Sequence, residues 1–115
     1  MNVTLWHNPG CGSSKNALDY LRDKGIEPTI YLYLKEKPDA AVLTQILTQL
    51  KAKPSDILRP KEKLGEDLGL YAEGVPEETI LAAMAANAKL IQRPVAITDK
   101  GAVIARPKTK IDEIL

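Results

Sequence analysis

The chain has 115 residues, 44% hydrophobic and 27% charged, a balance that suits one folded domain and excludes a disordered chain. Sixteen basic residues against fifteen acidic give a net charge of +1, which excludes a broad electrostatic grip on nucleic acid or an anionic membrane and leaves only a local anion site. A single cysteine, Cys11, and a single histidine, His7, exclude an intrachain disulfide and a zinc site built from these side chains, so no metal site is expected.

No uninterrupted apolar run approaches the roughly 18 residues of a membrane span. The start Met1-Asn2-Val3-Thr4 has no feature of a signal peptide. A lone thiol without an export signal predicts the reducing cytoplasm.

In chain order, Val3-Thr4-Leu5-Trp6 predicts a short strand that Asn8-Pro9-Gly10 stops with a turn. A helix should follow from about Gly12 to Lys24, with Ala17, Leu18 and Leu21 on one face and Gly25 just past its end. Thr29 to Tyr33 predicts a second strand. Pro38-Asp39 opens a helix with Asp39 as its cap and Val42, Leu43, Ile46, Leu47 and Leu50 at helical spacing. Pro54-Ser55 starts a short helix ending near Arg59, ahead of Pro60. Lys61 to Leu68 predicts another, with Leu64 and Leu68 inward and Gly69 closing it. Pro76-Glu77-Glu78 starts a helix to about Ala86, with Pro76 at its first position and acidic residues suited to the helix dipole. Val95 to Thr98 and Ala102 to Ala105 flank an Asp99-Lys100-Gly101 turn as a hairpin, and Lys110 to Leu115 closes the chain as a helix.

The order β-α-β, several helices, β-β-α implies a parallel strand pair with a right-handed crossover, then an antiparallel hairpin. The expected fold class is α/β: a thioredoxin-like mixed four-stranded sheet with a helical insertion, at about residues 38–90, between the βαβ and ββα halves. A single domain over residues 1–115 is expected.

The run from His7 to Asn16 carries the chemistry. Cys11 stands where the first strand hands over to the first helix, and unpaired N–H groups at a helix start attract anions. Gly10 and Gly12 leave the backbone bare around the sulfur. Ser13 and Ser14 add hydroxyl donors, Lys15 adds positive potential, and His7 would add more if protonated. Each favours a thiolate. A free cysteine is more often a small buried hydrophobe, but such a residue belongs in an apolar periodic stretch, not between two glycines at the mouth of a helix. Two motifs are absent. The second position of a Cys-x-x-Cys pair is Ser14, and the arginine of a tyrosine-phosphatase loop, six residues after the cysteine, is Ala17.

The chain has four arginines and twelve lysines. Three of the four precede proline: Arg59-Pro60, Arg93-Pro94 and Arg106-Pro107. Arginine grips a tetrahedral oxyanion through its planar fork of donors, and an adjacent proline fixes the backbone that presents it. Any one pair alone reads as turn punctuation. Arg22, inside the first helix, reads as a solvated residue.

His7-Asn8-Pro9-x-Cys11-Gly12-x-Ser14, the later Leu58-Arg59, Arg93-Pro94 before the third strand and Arg106-Pro107 after the hairpin together resemble the glutaredoxin-dependent arsenate reductases. The resemblance spans essentially the whole chain and points to the shorter members. Pro60 directly after Arg59 departs from the pattern. The resemblance implies Cys11 as the nucleophile that attacks arsenate, His7 and Ser14 as residues that tune it, and Arg59, Arg93 and Arg106 as the oxyanion clamp beside Gly12 and Ser13. Pro94 would be a structural proline near the site, at the position where thioredoxin-like folds place a cis proline.

Glutathione is implied as co-substrate and glutaredoxin as partner, with no bound cofactor; a monomer is expected. Counting agrees: reduction of arsenate to arsenite takes two electrons, hence two thiols, and the chain has one. Two rivals stand beside this reading. A redox-sensing transcription regulator that binds RNA polymerase would share the fold, but Ser14 removes its Cys-x-x-Cys switch. A general monothiol glutathione-dependent oxidoreductase would leave the arginines without a role.

Overall fold

The computed structural model describes residues 2–92 and 94–115. They form two compact units, Met1–Glu36 with Arg93–Leu115, and Lys37–Gln92. The first holds the sheet and the second is helical.

In the sheet unit, β1 (Thr4–Trp6) is followed by α1 (Gly12–Asp23), β2 (Thr29–Tyr31) and a one-turn helix α2 (Tyr33–Glu36). After the helical unit come β3 (Val95–Thr98), β4 (Gly101–Ile104) and a 3-10 segment, Lys108–Ile114. The strand order is β2-β1-β3-β4. β1 is parallel to β2 and antiparallel to β3, and β3 is antiparallel to β4. This is the mixed sheet the sequence order predicts.

The two faces of β1 explain its central place. Val3 and Leu5 point to one side and are buried with Ala17 and Leu21 of α1, Ala96, Ala105, Ile111 and Ile114. Trp6 points to the other, its ring 5.0 Å from that of Tyr31 and 6.2 Å from that of Tyr33. That stack accounts for a difference from the predicted second strand, which runs to Tyr33. The ladder stops at Tyr31, and Tyr33 begins a helical turn that buries its ring.

α1 ends on Gly25 at φ +78°, with Gly25 N–H donating to Arg22 C=O at 2.9 Å and Ile26 N–H to Leu21 C=O at 2.9 Å. This paired closure needs a left-handed residue, which glycine adopts without steric cost. Arg22 is exposed and pairs with Glu27. The last segment is 3-10 rather than α and begins at Lys108, ahead of the expected Lys110. The Arg106-Pro107 peptide is cis. The Arg93-Pro94 bond, at the position where thioredoxin-like folds place a cis proline, involves a residue outside those described.

In the helical unit, α3 (Ala40–Leu50) is capped by Asp39, whose side chain accepts the Val42 N–H at 2.9 Å. Leu43, Ile46 and Leu47 are buried, whereas Val42 is exposed. The helix closes as α1 does, but on Lys51 at φ +55°. A 3-10 turn (Pro54–Ile57), α4 (Lys63–Asp67), α5 (Glu77–Ala86) and a 3-10 turn (Ala88–Leu90) follow. Pro76 caps α5 instead of occupying its first turn. Leu68, expected inward, is 50% exposed. Gly69 at φ +69° reverses the chain directly after it, so Leu70 is buried instead.

Candidate active site around Cys11

Cys11 is the residue that opens α1. Its backbone is extended, at φ −109° and ψ 125°, and its side chain makes no cap of its own. Its N–H donates to Asn8 C=O at 3.0 Å, and its C=O accepts the Lys15 N–H at 3.0 Å, the first bond of the helix. Asn8 also accepts the Gly10 N–H on its side-chain oxygen at 3.0 Å. This local bond is the turn chemistry that asparagine favours. The thiol is half-buried, and among the described residues a Cβ at Gly12 would meet no atom within 4 Å beyond its chain neighbours and its own helix backbone. Among the described residues, space is therefore open beside Gly12 at the start of the helix, and unpaired N–H groups at a helix start attract anions.

Behind the cysteine, Ser14 is fully buried. Its Oγ lies 2.7 Å from His7 Nδ1 and accepts the Asn8 N–H at 2.9 Å. His7 is anchored in turn by its N–H on Tyr31 C=O at 2.9 Å. Burial pulls the imidazole below its ordinary pKa, and the positive charges of Arg22 and Lys15 act in the same direction. His7 is thus held neutral near pH 7, and the contribution of a protonated histidine to the thiolate is not favoured. The two serines divide: Ser14 ties turn to helix, and Ser13 faces a cleft.

That cleft, about 240 Å³, is lined by Ser13, Asn16, Ala105, Arg106, Pro107 and Lys108. The sheet register explains why Arg106 reaches it. Trp6 pairs with Val95 and Val95 with Ile104, so the residues just beyond, His7, Pro94 and Ala105, share one end of the sheet. Ala105 N–H donates to Pro94 C=O at 2.8 Å, and Pro94 is fully buried. The chain then turns Arg106 toward the start of α1.

Arg59 lies in the helical unit. Its guanidinium is 3.3 Å from the Glu62 carboxylate, and its N–H donates to Leu90 C=O at 2.7 Å. Arg93 lies outside the described residues. Among the described residues no cluster of three or more His, Cys, Asp or Glu side chains could hold a metal ion, and no helix is long and apolar enough to cross a membrane.

The family model for the ArsC family matches residues 6–114. The chain belongs to the ArsC family. It is 36% identical over 114 residues to the uncharacterized protein YfgD of Escherichia coli strain K12, covering 98% of this chain and 96% of that one. It is 33% identical over 114 residues to an arsenate reductase of Escherichia coli, covering 99% and 81%. The solved structure of an arsenate reductase from Vibrio cholerae matches with a TM-score of 0.95 at 34% identity, covering 100% of this chain and 98% of that one. The fold of this ArsC-family chain is thioredoxin-like.

Proposed function

We propose that this chain reduces arsenate to arsenite through a thiolate–arsenic adduct on Cys11, with electrons from glutathione and glutaredoxin. The observation that carries the reading is the placing of Cys11 at the open start of α1, with Arg106 on the adjoining cleft. Similarity to arsenate reductases supports the substrate.

In the proposed reaction the Cys11 thiolate attacks arsenic and displaces an oxygen as water, forming an S–As bond. Helix N–H groups and the arginines offset the charge of the bound oxyanion and of its transition state. A glutathione thiolate then attacks the Cys11 sulfur. The S–As bond breaks with its electron pair left on arsenic, which falls from the pentavalent to the trivalent state. The two sulfurs are left as a mixed disulfide, which glutaredoxin resolves by thiol–disulfide exchange. The chain needs no resident cofactor or metal in this scheme, and the proposed setting is the reducing cytoplasm, with the chain working as a monomer.

In this reading Arg59, Arg93 and Arg106 are the oxyanion ligands, Gly12 and Ser13 line the anion's seat, and Pro94 fixes the backbone beside it. His7 and Ser14 hold the turn that aims the thiolate.

The test is arsenate-dependent NADPH oxidation with glutathione, glutaredoxin and glutathione reductase. Cys11→Ser should abolish it. Substantial residual turnover in that variant would sink the proposal. Turnover of disulfide substrates with none of arsenate would replace it by a general glutathione-dependent oxidoreductase.

A further inference from the structure

Tyr71 is bound to a turn it does not belong to. The turn Arg59-Pro60-Lys61-Glu62 reverses the chain through Lys61 at φ +58°. In an ordinary four-residue turn the last N–H donates to the first C=O. Here the Tyr71 phenol stands between them. Its O–H donates to Arg59 C=O, and its oxygen accepts the Glu62 N–H at 3.0 Å.

The local chain explains how the phenol arrives. α4 ends with Leu70 N–H donating to Gly65 C=O at 2.9 Å and Gly69 N–H to Glu66 C=O at 3.0 Å. This is the left-handed closure at Gly69. It buries Leu70 and throws Tyr71 back over the start of the helix. The ring passes so close to Gly65 that a Cβ there would lie 2.5 Å from the phenol oxygen and 2.7 Å from Cζ. Glycine in a helix interior costs stability relative to alanine, so its presence under the ring has a reason in this contact.

Arg59 is therefore held on three sides: N–H by Leu90 C=O, C=O by Tyr71, guanidinium by Glu62. An arginine loses less freedom on binding an anion when its backbone is already fixed. We propose that Tyr71 is a positioning residue for Arg59, with Gly65 supplying the space for its ring, and that this brace sets the affinity for the oxyanion. The inference rests on Arg59 being an oxyanion ligand.

The test measures the arsenate KM and kcat of the full chain in the coupled assay. Tyr71→Phe should raise KM roughly tenfold, the scale of one or two lost hydrogen bonds, and change kcat by less than about twofold. Gly65→Ala should raise KM similarly by displacing the ring. In an Arg59→Ala background Tyr71→Phe should add nothing, because the two act as a unit.

An equal KM rise from Tyr71→Phe in both backgrounds would overturn the brace. So would an unchanged KM in Tyr71→Phe when Arg59→Ala raises it. If Arg59→Ala itself leaves KM unchanged, the clamp reading of Arg59 fails and takes the brace with it.

Discussion

The sheet unit and the helical unit hold their arginines by different means. Arg106 lies two residues past β4, and its position is set by a ladder: Val95 against Ile104, then Ala105 N–H on Pro94 C=O. Arg59 belongs to no strand. One isolated bridge, Leu58 with Ile91, and one side chain, Tyr71, fix the turn around it. A ladder shares its load over many backbone bonds, whereas a single phenol has no substitute. Side-chain changes away from the site should therefore be felt at Arg59 and scarcely at Arg106.

The largest effect tests how robust the ladder is. Leu5 is fully buried on the central strand, and Leu5→Ala should cost about 2–5 kcal/mol by lost burial and a cavity. Urea unfolding measures it. A change below about 1 kcal/mol would mean that the site end of the sheet does not depend on this core.

Ser14→Ala removes an oxygen that serves His7 Nδ1 and the Asn8 N–H, and should cost about 1–3 kcal/mol for the buried groups left unpaired. The same network sets a pH dependence. The folded pKa of His7 lies below its ordinary value of 6.5. As pH falls below that value, the unfolded chain takes up a proton that the folded one resists. Its contribution to stability is therefore present above about pH 6.5 and is lost as pH falls toward the folded pKa. Unfolding between pH 7.5 and 5 should show this fall, and His7→Gln should flatten it.

The smallest pair compares the units helix by helix. α1 closes on Gly25 and α3 on Lys51, both left-handed. Gly25→Ala should destabilise by about 1 kcal/mol, and Lys51→Gly should stabilise by a few tenths, since only the lysine now bears the left-handed cost. Thermal unfolding of both variants gives the two signs, and equal signs would break the comparison.

Most of the sheet unit was legible in the residues, because strand period, turn glycines and the Gly25 closure are local signals. What escaped was tertiary. Tyr33 left its strand to stack on Trp6, and Leu68 and Leu70 exchanged places through the reversal at Gly69. Cys11, Ser14 and His7 stood out because a cysteine between glycines at a helix start is unusual chemistry. Glu62, Gly65 and Tyr71 did not. Their contacts join residues three to twelve apart with no period, so nothing in their spacing distinguished them from solvent-facing residues.

The open side of Gly12 has a further consequence. If Cys11 works as proposed, a site that admits an oxyanion to its thiolate would also admit hydrogen peroxide, which oxidises a thiolate to the sulfenic acid. Many peroxide-exposed proteins trap that species with a neighbouring cysteine, but this chain has one cysteine only. Glutathione condensing on the sulfenic acid, with loss of water, would yield the same mixed disulfide that the proposed reductive cycle makes. The route that regenerates the catalyst would then double as its repair.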